Sequence, residues 1–281
     1  MWDIKKFWNL YQKAWWGEWE KCLYPTRLDT YWQWCSHNCS YCYARSLLQF
    51  RNLRHPNNPK FIDLKEAYKI IKNEIPEWQI TRLWWMTDCF QPVERIHKIT
   101  YNVLKAFNYY KKPYLIVSKS DLVADDEYIK VLDKSLAHIQ ITITTTNDEL
   151  AKTYEYATPP SKRIEAVEKL RKLWYDVQIR LSPYIPQYVD IEKINAIKCD
   201  KIIVEFLRVN AFIKKRFNID YSEYTHNEWW YKHLPLEKKK QLIVKIKKPQ
   251  ISVCEDVQAH YEYRKNHFNY NQEDCCNLRK Q

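Results

Sequence analysis

The sequence predicts an α/β protein, a partial (β/α)6 TIM-like barrel with a mainly helical C-terminal extension, and three observations carry that prediction. Six short, β-branched and largely apolar runs alternate with longer helical patterns, as parallel strands covered on both faces should. The alternation stops after Val209, where residues 211–281 turn polar, basic and aromatic. With 281 residues, 46% of them apolar, the chain can bury a sizeable core. Six βα units imply right-handed crossovers, and six rather than eight favour an open barrel over a closed one.

Taken in order, residues 1–28 read as an irregular N-terminal extension, 29–210 as the barrel, and 211–281 as an extension packed on it. The expected strands are 29–34, 80–86, 114–118, 137–145, 176–181 and 201–209. The expected helices are 63–73, 94–110, 125–135, 161–173 and 190–197. The fourth helix has the clearest signals: Pro159-Pro160-Ser161 starts it, and Ile164, Val167, Leu170 and Leu173 form a stripe of helical period.

Composition excludes several classes. No apolar run approaches the ~18 residues of a membrane span, and the N-terminus lacks the apolar stretch of a signal peptide, so a cytoplasmic location without membrane contact is expected. The net charge is +12, with Lys214-Lys215-Arg216, Lys238-Lys239-Lys240 and Lys245-x-Lys247-Lys248 among the tyrosines of the extension. Such runs track a phosphate backbone or simply form a solvated face, so nucleic acid is a candidate partner.

Glycine usage is abnormal. At about 7% the chain should carry roughly 20 glycines, yet Gly17 stands alone beside 13 tryptophans. Trp174 follows a helical run at the position that commonly needs a left-handed backbone, and the doublets Trp15-Trp16, Trp84-Trp85 and Trp229-Trp230 read naturally as Gly-Gly. The expectation is a gene that uses UGA for glycine, translated here with UGA as tryptophan.

The strongest chemical signal is Cys35-Ser36-His37-Asn38-Cys39-Ser40-Tyr41-Cys42-Tyr43, a C-x3-C-x2-C motif after the first expected strand. Three thiolates from one loop can hold three corners of a cubane cluster and leave the fourth iron open. A structural zinc site usually closes with four ligands, and His37 would be strained as the fourth. A second group, Cys254 with Cys275-Cys276 and His260 or His267, is a weaker candidate for an auxiliary metal site.

With Tyr41 in the aromatic position, this motif resembles the signature of the radical S-adenosylmethionine (SAM) superfamily, and more specifically its spore photoproduct lyase-like branch. Residues 86–94 (Met-Thr-Asp-Cys-Phe-Gln-Pro-Val-Glu), 115–120 (Leu-Ile-Val-Ser-Lys-Ser) and 177–183 (Val-Gln-Ile-Arg-Leu-Ser-Pro) are similar to that branch in the same order. The resemblance implies a partial barrel of the radical SAM type and an enzyme. Cys35, Cys39 and Cys42 would ligate a [4Fe-4S] cluster, and SAM would chelate its open iron. Reductive cleavage would then yield a 5′-deoxyadenosyl radical that abstracts a substrate hydrogen, the electron coming from a reductant protein such as flavodoxin or ferredoxin.

The same resemblance assigns candidate roles. Trp84 and Trp85 stand where a Gly-Gly backbone meets the SAM amino group, and Trp32 and Trp34 where relatives have glycine. Lys119 would pair with the SAM carboxylate, Tyr41 would stack near adenine and Tyr43 would relay a hydrogen atom. Arg180 and Ser182, ending the fifth strand, are further cofactor-binding candidates. Cys89 is a candidate radical or redox residue. Action on DNA lesions or other nucleic acid is the first expectation, with a peptide or small-metabolite modifying enzyme and a non-catalytic metal protein binding nucleic acid as alternatives.

Overall fold

The computed structural model describes residues 11–13, 21–50, 52, 60–83 and 86–278. Its main sheet has eight strands in the order β1 (Tyr11–Gln12), β2 (Arg27–Leu28), β5 (Thr81–Leu83), β6 (Tyr114–Ser118), β7 (Ala137–Thr142), β8 (Asp176–Tyr184), β9 (Lys201–Phe206) and β12 (Gln250–Val253). From β2 to β12 every neighbour is parallel, and only β1 runs antiparallel at the edge. Two small antiparallel pairs complete the strands: β3 (Tyr31–Trp32) with β4 (Lys60–Phe61), and β10 (His226–Glu228) with β11 (Tyr231–His233). Helices fill the crossovers, and the core lies between them and the sheet.

The six barrel strands are those of the six βα units, with one shift. The first barrel strand is β2 at Arg27–Leu28, earlier than the expected 29–34. The aromatic residues Tyr31 and Trp32 instead turn aside to pair with β4. Strand propensity marked an extended segment there but carried no information on its partner. Between the two strands in sequence, the Asp29 carboxylate accepts the Met86 amide at 3.3 Å.

The helix expected over 94–110 is broken at Lys98, which takes a left-handed φ of 53° between helices Glu94–His97 and Ile99–Tyr109. Glu94 explains the break. Its buried carboxylate accepts the Thr100 and Tyr101 amides, both at 2.9 Å, and so caps the second helix from inside the first, while the Tyr31 and Tyr128 hydroxyls donate to its other lone pairs. The segment 125–135 is helical only over Asp126–Ile129. Helix Pro160–Lys172 forms as expected, and Trp174 just beyond it has φ 64°.

The extension is more than a helical cap. It contributes β12 to the main sheet, and its last described residues fill the interior of the barrel. Gln178 donates to the Cys276 carbonyl at 2.6 Å, Lys201 to the Asn277 carbonyl at 2.9 Å, and Tyr24 to Asp274 at 2.7 Å.

Candidate active site

The carboxyl ends of the strands border an open cleft of about 710 Å³, lined by Cys35, Cys39 and Cys42 with Tyr41, Tyr43, Lys119, Ser182, Glu205 and Arg208 among others. This is the end of the sheet where barrel sites form, because the βα loops converge there.

The three cysteines lie on two successive tight turns. The Asn38 amide donates to the Cys35 carbonyl and the Cys42 amide to the Cys39 carbonyl, both at 3.3 Å, and Asn38 accepts the left-handed φ of 46° that the first turn requires. Neighbouring segments brace the loop. Gln91 accepts the Ser36 amide at 3.0 Å and donates to the Trp34 carbonyl at 3.3 Å, while Ser40 and His37 pair through the backbone with Tyr154 and Tyr156 at 2.8 and 2.7 Å.

Asp88 is the anchor between this loop and the third barrel strand. Its buried carboxylate accepts from the Ser118 hydroxyl at 2.8 Å, the Lys119 amide at 2.7 Å and the Phe90 amide at 2.8 Å. His37 Nε2 stands 3.2 Å away, without the alignment of a hydrogen bond. Burial alone would raise this carboxyl, yet His37 and the amide donors outweigh it and hold it below its ordinary value. His37 therefore turns toward Asp88, which leaves three thiols of the loop facing the cleft.

Those thiols suit three corners of a cubane with one iron open, since each corner thiolate binds a different metal atom. Burial, followed by the Asp88 charge, pushes the Cys35 thiol up to about 12, and burial with Glu155 pushes Cys39 well above its usual value. Metal binding must therefore displace protons from the loop.

Two tyrosines flank Cys42, and each carries a cation on its ring face. The Lys119 ammonium lies 5.7 Å from the Tyr41 ring centroid, and the Arg208 guanidinium 4.6 Å from that of Tyr43. Beneath Tyr41 its hydroxyl donates to Glu155, which is paired with the fully buried Arg163 and accepts from Thr144 at 3.2 Å. Burial would raise Glu155, but Arg163 and Lys119 keep it below the usual carboxylate range. At the end of β9, Glu205 accepts from Arg180 at 2.5 Å, Ser182 at 2.9 Å and Arg208 at 3.0 Å. Against the opposing effect of burial, Arg180 and Arg208 bring its carboxyl down to about 2.

The structure thus brings together Cys35, Cys39, Cys42, Tyr41, Tyr43, Lys119 and Ser182, and it leaves two candidates outside the cleft. Arg180 is buried with its guanidinium spent on Glu205 and on Gln140 at 2.8 Å, because a buried guanidinium requires a carboxylate partner. It supports the cleft rather than lining it. Cys89 is packed in the apolar core, where burial and then Asp88 push its thiol well up, and it does not line the cleft either. Trp84 and Trp85 lie outside the described residues.

The auxiliary candidate keeps its cysteines and loses its histidines. Cys254, Cys275 and Cys276 do gather, but against Leu115, Val117, Ile203 and Leu278 in the barrel interior. His260 instead meets Lys239 at 3.0 Å, and His267 stacks on Tyr263 at 4.1 Å.

Sequence reasoning overlooked Glu205 and Arg208. Their signal was present, since two charged residues interrupt the apolar run Ile202-Ile203-Val204-Glu205-Phe206-Leu207-Arg208 where a parallel strand meets the site face. Glu155 and Arg163 gave no such signal, because their pairing is made only by the fold.

Residues 30–193 match the model of the radical SAM superfamily, and the chain belongs to that superfamily. Its cofactors are accordingly a [4Fe-4S] cluster and SAM. Among proteins of similar sequence, an uncharacterized protein of Methanocaldococcus jannaschii is 33% identical over 165 residues, 57% of this chain and 61% of that protein. An uncharacterized protein of Mycobacterium tuberculosis is 21% identical over 167 residues, 56% and 48% of the two chains. The matches thus span between about half and three fifths of these relatives.

Solved structures share the fold, two of them as follows. Spore photoproduct lyase complexed with dinucleoside spore photoproduct has a TM-score of 0.58 at 14% identity, covering 83% of this chain and 77% of that one. Streptococcus suis SuiB bound to S-adenosylmethionine has a TM-score of 0.55 at 13% identity, covering 81% and 49%. Among the described residues no helix is long and apolar enough to cross a membrane.

Proposed function

We propose that this protein cleaves SAM reductively and uses the resulting radical to abstract a hydrogen from a nucleic-acid substrate. The observation that carries the reaction is the placement of three thiols from one loop on an open cleft, with the histidine of that loop, His37, turned to Asp88. When bound, the cluster and SAM supply one-electron cleavage of a sulfonium bond and a 5′-deoxyadenosyl radical.

The chain's own residues do the rest. Cys35, Cys39 and Cys42 hold the cluster, and Asp88 fixes the Lys119 backbone beside them. The Lys119 ammonium offers a charge to the SAM carboxylate, and Ser182, held by Glu205, offers a hydroxyl. Tyr41 and Tyr43 form an aromatic wall against water at the reacting centre, and Tyr43 is the residue we assign to hydrogen transfer. The electron is supplied by a flavodoxin-like or ferredoxin-like protein.

The net charge of +12 supports the nucleic-acid substrate, although fewer basic residues are available than the sequence suggests. Lys239 is buried on Glu255, Lys238 and Lys240 pair with Glu223 and Glu237, and Lys248 is spent on backbone carbonyls. Lys214, Lys215, Lys245 and Lys247 are left exposed. This internal pairing favours, as a second reading, a peptide or small metabolite. Anaerobic reconstitution with SAM and dithionite, followed by mass spectrometry for 5′-deoxyadenosine, tests the reaction. Binding to a DNA duplex that weakens steeply with salt supports the nucleic-acid substrate, and salt-insensitive or absent binding favours the second reading.

A further inference from the structure

The turn that carries Cys39 and Cys42 is gripped from outside by the chain segment that leaves β9. Three consecutive residues, Tyr41, Cys42 and Tyr43, each meet one side chain of that segment. The Phe217 ring lies edge-on to Tyr41 with 5.9 Å between centroids. Arg216 Nη2 donates to the Cys42 carbonyl at 3.2 Å and stands 2.7 Å from the Ser46 hydroxyl. Arg208 covers Tyr43 and is held by Glu205 at 3.0 Å and by Asp256 of the extension at 2.7 Å.

The position of Arg216 is built into the fold. It ends the helix Ala211–Arg216, whose start is capped by Asn210 accepting the Ile213 amide at 2.9 Å. Phe212 of that helix packs edge-on against Phe50, at the end of the helix Tyr43–Phe50 that Cys42 precedes. The guanidinium is half-buried, with Nε and Nη1 shielded from solvent, so salt screens its charge less than that of an exposed lysine.

We infer that Arg216 is a positioning residue for the cluster: it fixes the Cys42 turn and places a permanent positive charge beside it that makes the cluster easier to reduce. A fixed cation near a cluster favours the state carrying one more electron, and net charge, hydrogen bonding and exposure are the levers by which a protein sets such potentials. The extension is then part of the electron-accepting site rather than an appendage to the barrel. This inference rests on Cys35, Cys39 and Cys42 being the cluster ligands.

The test is a spectroelectrochemical titration of the reconstituted full-length protein without substrate. Arg216→Gln should move the midpoint potential to more negative values, and Arg216→Lys, which keeps the charge, should return it close to the wild-type value. Lys215→Gln removes the same charge from the exposed neighbouring position and should leave the potential unchanged. Equal midpoints for Arg216→Gln and wild type, or equal shifts for Arg216→Gln and Lys215→Gln, would overturn the inference. Should Arg216→Gln not load its cluster, Arg216→Lys decides: a loaded cluster at wild-type potential supports the role, and an empty cluster or a potential shifted to more negative values sinks it. Failure of the wild-type protein to assemble a [4Fe-4S] cluster would instead strike the ligand assignment.

Discussion

The molecule holds two groups of three cysteines that share little beyond residue type. Cys35, Cys39 and Cys42 fall on one loop, each braced through its neighbours, and face an open cleft with a lysine and two tyrosines. Cys254, Cys275 and Cys276 come from the end of β12 and the last described segment, where they pack against leucine, valine and isoleucine with the Arg264 and Arg180 guanidinium groups close by. The Cys275 thiol and then burial push the Cys254 thiol well up, which suits an inert interior sulfur. The comparison teaches that what thiols face sets what they can do: an open cleft with room for a metal in one case, a packed interior edged by two arginines in the other.

The sharpest way to break that contrast is to remove each group in turn. Cys35→Ala, Cys39→Ala or Cys42→Ala should each abolish the cluster, because the loop holds no spare ligand. Cys254→Ser and Cys275→Ser should leave iron and sulfide content unchanged. Iron and sulfide assays on anaerobically reconstituted variants check both, and iron loss in the second pair would make the interior thiols a metal site after all.

A next effect concerns the carboxylate that ties the cleft to the barrel. Glu205 titrates near 2 when folded against an ordinary 4.5, so its stabilising contribution is complete above about 4.5 and disappears as pH falls toward 2. That difference corresponds to roughly 3 kcal/mol at neutral pH. Urea unfolding between pH 7 and pH 2 should show this loss, and Glu205→Gln should flatten the dependence in the acid window. The Cys254 and Cys275 variants should retain the wild-type pH profile.

A smaller effect is expected at Lys119. Its replacement by alanine should weaken SAM binding by about 1.5 to 3 kcal/mol, the worth of a charge-assisted contact, without removing the cluster. Equilibrium binding of SAM to the oxidised holoprotein measures this, and an unchanged affinity would take Lys119 out of the cofactor site.

The smallest effects belong to the tryptophans. Trp174 has φ 64° after its helix, and Trp229, first residue of the two-residue loop between β10 and β11, has φ 54°; both indoles are about 80% exposed or more. Left-handed backbone costs a residue bearing a Cβ about 1 kcal/mol relative to glycine. Trp174→Gly and Trp229→Gly should therefore each raise stability by about 1 kcal/mol, measured by chemical denaturation. UGG codons at these sites in the gene would refute the recoding of UGA as glycine, and glycine-bearing peptides from the native host would establish it.

How much was legible before the fold follows from the range of each signal. The six βα units could be read because strand and helix periodicity repeat over a few residues. The cysteine motif could be read because its three thiols lie within eight positions. Glu205 and Arg208 were half legible, as charges at a strand end with no visible partner. The break at Lys98 was hidden because it depends on Glu94 reaching the amides of the following helix, a local geometry that the apolar pattern passes over.

By itself, then, the amino-acid sequence determined the alternating parallel architecture, the three-thiol loop, the lysine that ends the third barrel strand and the anomaly at the tryptophan positions, all of which are encoded by neighbours along the chain. Tertiary structure alone decided which extended segment became the first barrel strand and which thiols face a cavity. It also decided that Cys89 and Arg180 sit behind the cleft, that half the basic runs are neutralised internally, and that Arg216 reaches the cluster turn. Those outcomes depend on contacts between residues far apart in sequence, where burial demands a partner for every charge and the identity of that partner is set by packing.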